Sequence, residues 1–234
     1  MPDKRPIPVG VEDFKVLVDK DYFFIDKTLL IKDLLDSKDM ISLITRPRRF
    51  GKTLNMSMIQ RFFEKTEESN AYLFEGLKIS NSGEKYLNHQ GQYPVISISL
   101  KGLKQITYEK AFFVFKERII SEFERHQYVY DSGVLPVNKH KRFEKILIGN
   151  AKDDEYLTAL QLLSECLEDF HNKKVILLIE LNVRCDVALE QIRTKKYAEQ
   201  LTDDCYQKVM SYGIAFYGKT CRVKMGEIVY QNEE

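Results

Sequence analysis

The chain has 234 residues, 44% of them hydrophobic and 30% charged, with a formal net charge of +1. That is length for one large domain or two small ones, and so even a charge balance supplies no overall field to draw nucleic acid, so any basic function must be local. The four cysteines, Cys166, Cys185, Cys205 and Cys221, form no Cys-x-x-Cys pair, and the four histidines are equally dispersed. This spacing argues against a zinc site or a disulfide framework and for thiols in a reducing compartment. The polar opening MPDKRPIPVG lacks the apolar core of a signal peptide. The longest apolar run, VILLI at Val175–Ile179, is too short to cross a bilayer. A cytoplasmic protein with no membrane partner is expected.

In chain order, YFFIDKTLLIKDLLDS predicts a helix capped by Thr28, with Leu30, Ile31, Leu34 and Leu35 on one face. MISLIT follows as a buried strand, then a loop, then a helix in which Leu54, Met58, Ile59, Phe62 and Phe63 recur at helical spacing. That apolar stripe is core packing. SNSGEKYLNHQGQYP reads as a looser polar stretch. In VISISL, Ile96, Ile98 and Leu100 alternate with serines, as in a strand with one buried face.

TYEKAFFVFKERIISEFERH is a strongly amphipathic helix through Phe112, Phe115, Ile119 and Phe123. DEYLTALQLLSECLEDF is another, through Leu160, Leu163, Leu167 and Phe170. NKKVILLIE then gives the continuous apolar run of a central parallel strand. Strands alternating with helices argue for an α/β fold, a parallel sheet covered on both faces. Beyond residue 180, VALEQIRTKKYAEQL is a basic, polar helix, and YGIAFYGKTCRVKM reads as two strands around Gly218-Lys219.

The segment ISLITRPRRFGKTLNMSMIQRFFE, Ile41 to Glu64, carries the chemistry. A phosphate-binding loop directs backbone N–H groups at phosphate from a tight turn and a helix start; its lysine reaches the β- and γ-oxygens, and its hydroxyl residue binds magnesium. Gly51, Lys52 and Thr53 supply the second half of such a loop between a strand and a helix. The usual first glycine is replaced by Arg46, although guanidinium groups at Arg48 and Arg49 are good phosphate partners. The alternative is a solvated basic loop.

PIPVGVEDFKVLVDKDYFFIDKTLLIKDLLDS followed by ITRPRRFGKTLNMSMIQRFFE resembles the AAA-ATPase-like domain of a bacterial protein family, and LFEGLKIS (Leu73–Ser80) and GQYPVISISLKGLK (Gly91–Lys104) resemble it too. In that family the loop also reads Arg-Pro-Arg-Arg-Phe-Gly-Lys-Thr, and the ATPase-like module precedes a PD-(D/E)XK nuclease module. The resemblance implies an ATP and Mg2+ site on Arg48, Arg49, Phe50, Gly51, Lys52 and Thr53, with Thr53 reaching the metal through the nucleotide.

The likeness breaks at the third strand, where the family continues into the acidic Walker B pair. Here Glu180 is followed by Leu181. From there the sequence resembles the far end of the nuclease module, with Glu180, Gln191 and Tyr197 at matching positions and Asn182 where a lysine belongs. A large internal deletion or a misread gene accounts for the junction. The expected organisation is therefore an incomplete P-loop NTPase-like domain over 1–179 and an α+β nuclease remnant over 180–234. The expected function is ATP binding with weak or no hydrolysis, Glu180 being the candidate catalytic carboxylate. The alternatives are a nuclease-related protein acting on DNA, as in the intact family, and a non-catalytic remnant.

Overall fold

A computed structural model of the chain describes residues 5–42, 44, 51–101, 103, 105 and 107–180, together with the backbone of 208–217 and 220–229. The chain divides into two compact units, Met1–Ile41 with Thr53–Leu181, and Ser42–Lys52 with Asn182–Glu234. It is a mixed, helix-rich α/β protein.

The N-terminal segment is fastened to one long helix. Asp13 caps α1 (Phe14–Asp19), accepting from the Lys15 and Val16 N–H groups at 2.7 and 3.2 Å. The Asp13 carboxylate also meets Arg61 at 2.8 Å, and Phe14 N–H donates to Ser57 Oγ at 2.9 Å. Both partners lie on α3 (Lys52–Phe63), which buries Met58, Ile59, Phe62 and Phe63 as its apolar spacing predicts. An aromatic core forms there, with Phe74 packed on Phe14 and Phe62 at ring separations of 5.3 and 5.2 Å.

Between these lies α2 (Leu29–Ser37), which buries Ile31 and leaves Leu30, Leu34 and Leu35 half-covered. Thr28 does precede it, but its hydroxyl makes no capping bond. It donates instead to Asp26 at 2.7 Å and accepts the Ile79 N–H at 3.1 Å, so a tertiary contact takes the oxygen that local capping would use. The stretch read as loose and polar folds into a 3-10 turn at Lys78–Asn81 and the short α4 (Glu84–Leu87). Tyr86 is buried there, and its hydroxyl donates to Asp36 at 2.8 Å.

β1 (Val95–Ser99) and β2 (Ile176–Glu180) form a parallel pair in which Ser99 faces Glu180. Between them run α5 (Tyr108–Arg125), α6 (Gln127–Asp131), α7 (Val137–Leu147), α8 (Asp153–Leu157) and α9 (Ala159–His171). Ile96 and Ile98 of β1 pack with Ile119 and Phe123 of α5, Phe143 of α7, and Leu163 and Leu167 of α9 in one core.

Two expectations about strands need correction. Met40, Ile41, Ser42 and Ile44, the described residues of the first expected strand, have no strand structure, and Met40 and Ile41 are 95% and 83% exposed. β2 is not buried on both faces either: Leu177 and Ile179 are 48% and 41% exposed. Among the described residues β1 and β2 pair only with each other.

In the C-terminal region β3 (Lys208–Tyr217) and β4 (Thr220–Val229) pair antiparallel, Tyr217 opposite Thr220. This is the expected hairpin, with longer strands. Its two-residue connection, Gly218-Lys219, lies outside the described residues, as does the expected basic helix.

Candidate functional site

Glu180 ends β2 and is the most heavily engaged carboxylate near the strand termini, with 4% of its surface exposed. Three side chains converge on it. Thr53 Oγ1 donates to Oε1 at 2.7 Å, Ser99 Oγ donates to Oε2 at 2.9 Å, and the Lys101 ammonium lies 3.0 Å from Oε1. Lys101 Nζ also donates to Thr53 Oγ1, and Glu12 sits on its far side at 3.4 Å.

The chain reaches this geometry by ordinary rules. Facing residues of a parallel pair project side chains to the same face, which puts Ser99 beside Glu180. The Leu100 N–H donates to the Glu180 carbonyl at 2.9 Å and carries the ladder one residue further. Lys101, two residues after Ser99, then falls on the same side. Thr53 arrives from the first turn of α3, where no acidic residue stands. Gly51, just before that helix, has φ +74°, a left-handed conformation that suits glycine.

Burial pushes the Glu180 carboxyl up, but the bonds from Thr53, Lys101 and Ser99 and the ammonium charge outweigh it, so it is held below the ordinary glutamate value. Burial likewise opposes the charge on Lys101. Its bond to Glu180 and the two carboxylates around it prevail and raise it. The arrangement is an ionised, hydrogen-bonded cluster of hard oxygens around one ammonium.

The structure thus brings together Thr53 and Glu180, which the sequence singled out separately, and adds Ser99, Lys101 and Glu12, which it did not. Serines alternating with apolar residues in a strand read as a solvent face. The signal that would have found them is position, because polar residues at the carboxyl ends of parallel strands are where α/β folds place ligands. Lys52 opens α3 next to Thr53. Arg46, Arg48, Arg49, Phe50, Asn182, Gln191 and Tyr197 lie outside the described residues. Among the described residues no group of three or more His, Cys, Asp or Glu side chains could hold a metal, and no helix is long and apolar enough to cross a membrane.

Fold and site together describe a mixed α/β protein with a charged polar site at the carboxyl ends of two parallel strands. The family is shown by sequence: the model of the predicted AAA-ATPase family matches residues 8–220, and the chain belongs to that family. The chain is also similar to a curated protein from Azotobacter chroococcum mcd 1, described as an uncharacterized protein in the vnfD 5′ region. They are 31% identical over 100 residues, which is 42% of this chain and 18% of that protein, so the match spans under a fifth of the relative's length. No solved structure matches the chain.

Proposed function

We propose that the protein binds ATP with Mg2+ at the Gly51–Thr53 loop and turns it over weakly or not at all. The observation that carries this reading is the 2.7 Å bond between Thr53 Oγ1 and Glu180 Oε1. In phosphate-loop proteins the hydroxyl at the helix start and an acidic residue at a strand end hold the same magnesium ion. A hydroxyl and a buried carboxylate are the hard oxygen donors that Mg2+ takes, alongside phosphate oxygens and water. Thr53 and Glu180 would hold it. When bound, the ion neutralises charge on the β- and γ-phosphates.

Around it, Lys52 would contact the β- and γ-phosphates and the N–H groups of the first α3 turn would donate to phosphate oxygens. Weak turnover follows from the acidic inventory. Efficient hydrolysis needs one carboxylate for the metal and a further residue to orient the attacking water. Here Glu180 is followed by Leu181, and a single carboxylate bonded to three donors is poorly placed for both tasks.

Isothermal titration of the full chain with ATP, with and without Mg2+, tests the reading. Losing a charged contact to phosphate costs about 1.5–3 kcal/mol, so Lys52→Ala should bind ATP roughly ten- to a hundred-fold more weakly with its melting temperature unchanged. Equal affinity in variant and parent would remove the phosphate-loop assignment. Phosphate release should stay at background, and turnover lost in both Lys52→Ala and Glu180→Gln would overturn the claim of weak hydrolysis.

A further inference from the structure

The cation in this site is a lysine, and its position is informative. Lys101 Nζ bonds to Thr53 Oγ1 and Glu180 Oε1, the same two oxygens assigned above to magnesium. An ammonium and a divalent cation cannot share those two atoms at bonding distance without strong repulsion. Nor is the lysine merely a solvated surface charge that happens to fall nearby. The β1 ladder, extended by the Leu100 N–H bond to Glu180, sets its approach, and Thr53, Glu180 and Glu12 hold its head from three sides.

We propose that Lys101 is a resident counter-ion of the site, which neutralises Glu180 and occupies the cation position until a divalent ion displaces it together with the entry of nucleotide. The first half stands on the contacts alone; the second rests on the nucleotide reading above. Glu12, already 3.4 Å from the ammonium and largely exposed, is the partner the lysine keeps when it leaves Glu180. The lysine is 41% exposed, so it can withdraw toward solvent without crossing the core. The device makes the site selective for metal-bound nucleotide over free metal. A bare ion must evict the ammonium unaided, whereas one arriving with a polyphosphate brings anionic oxygens that compensate for the displaced charge.

Mn2+ alone, followed by electron paramagnetic resonance on the full chain, tests the resident role without involving ATP. Lys101→Met should bind Mn2+ at least about tenfold more tightly than the parent, because a repulsive charge is gone. Lys101→Arg should stay within about twofold of the parent, since a guanidinium keeps that charge, and adding Glu180→Gln to Lys101→Met should abolish the gain. Equal or weaker Mn2+ binding by a folded Lys101→Met protein overturns the proposal. The second measurement uses the unaltered protein, so it stands even where the variant does not fold. Acetylation of Lys101, read by peptide mass spectrometry, should be slow without ligand and several-fold faster with Mg-ATP. An unchanged or slower rate in a sample that calorimetry shows to hold Mg-ATP refutes the displacement. If no ATP binds at all, the nucleotide reading fails instead, and the Mn2+ comparison still decides the resident role.

Discussion

Replacing Arg125 with methionine should destabilise the protein severely, for reasons that can be worked from its surroundings. The guanidinium donates to Glu122 at 2.6 and 3.0 Å, to Glu64, and to the Val95 carbonyl. Glu122 and Glu64 are both buried. Methionine fills much of the space but leaves two buried carboxylates without their cation. Removing one partner of a buried pair costs about 3–5 kcal/mol. At roughly 2–4 °C per kcal/mol for a protein of this size, the melting temperature should fall by roughly 6–20 °C.

The loss should also depend on pH in a defined sense. Burial pushes the Glu122 carboxyl up, but the bonds from His126 and Arg125, the Arg125 charge and the Ser97 N–H outweigh it, so the group is held below its ordinary value. A depressed carboxyl stabilises above its unfolded value of about 4.3, and that contribution disappears as pH falls through the folded value. In the variant the cation is absent and the burial of Glu122 is no longer offset by it, so that carboxylate takes up a proton at a higher pH than in the parent. The gap in melting temperature should therefore be widest at about pH 7 and narrow toward pH 5. Circular dichroism melts of parent and variant across that range measure it. A fall of less than about 6 °C at neutral pH, or a gap that does not change with pH, would refute the reasoning, because about 3 kcal/mol at roughly 2 °C per kcal/mol sets the lower bound.

Two other outcomes are expected. Gly51 adopts φ +74° with open space where a Cβ would stand, so Gly51→Ala meets backbone strain and not a clash. At about 1–2 kcal/mol for that strain, ATP affinity by calorimetry should drop roughly tenfold, and Gly51→Asn, which tolerates this conformation better, should lose less; an alanine variant with parental affinity would show that the turn is not needed. The Cys166 thiol is buried and pushed up to about 11 by that burial, so under native conditions at pH 8 peptide mapping should find it unmodified by iodoacetamide, and rapid labelling would contradict its place in the core.

Much of the helical core was legible because its residues obey a single period. The stripe Met58, Ile59, Phe62 and Phe63 and the alternation around Ile96 and Ile98 bury as written. Other elements hid in tertiary contacts. Lys85 and Tyr86 sit on a four-residue helix too short to hold itself, and both side chains bond Asp36 at 2.9 Å or less, 49 and 50 residues away. The helix Val137–Leu147 leaves little trace in the sequence because its apolar stripe is thin and lies among charges; only Phe143 and Ile146 are buried. At Ile41 and at β2, apolar runs suggested two-sided burial, but an apolar run cannot report how many strands will flank it.

The site was half legible for a related reason. Thr53 and Glu180 each stood out by type and context, yet 127 residues separate them and nothing local joins them. What joins them is a matched pair of lengths. From Glu64 back to Thr53 α3 rises about 16 Å, at roughly 1.5 Å per residue. β1 covers about 13 Å from Val95 to Ser99, at roughly 3.3 Å per residue. One end of each element is clamped through Arg125, which reaches both Glu64 and the Val95 carbonyl. At the other end the elements meet again, where Thr53 and Ser99 both bond Glu180. Helix and strand are thus tied at both ends, by the buried Glu64 and Glu122 facing an arginine at one and by the buried Glu180 facing a lysine at the other. The two ties differ in one respect that bears on function. Arginine in the first is held by a two-point contact to Glu122 and by further bonds to Glu64 and the Val95 carbonyl, through a rigid planar fork. Lysine in the second is a flexible, part-exposed donor, the kind of side chain that can yield its place. Stability therefore resides at the end whose cation is fixed by several bonds of a planar fork, and the capacity to accept a ligand at the end whose cation is a single flexible ammonium.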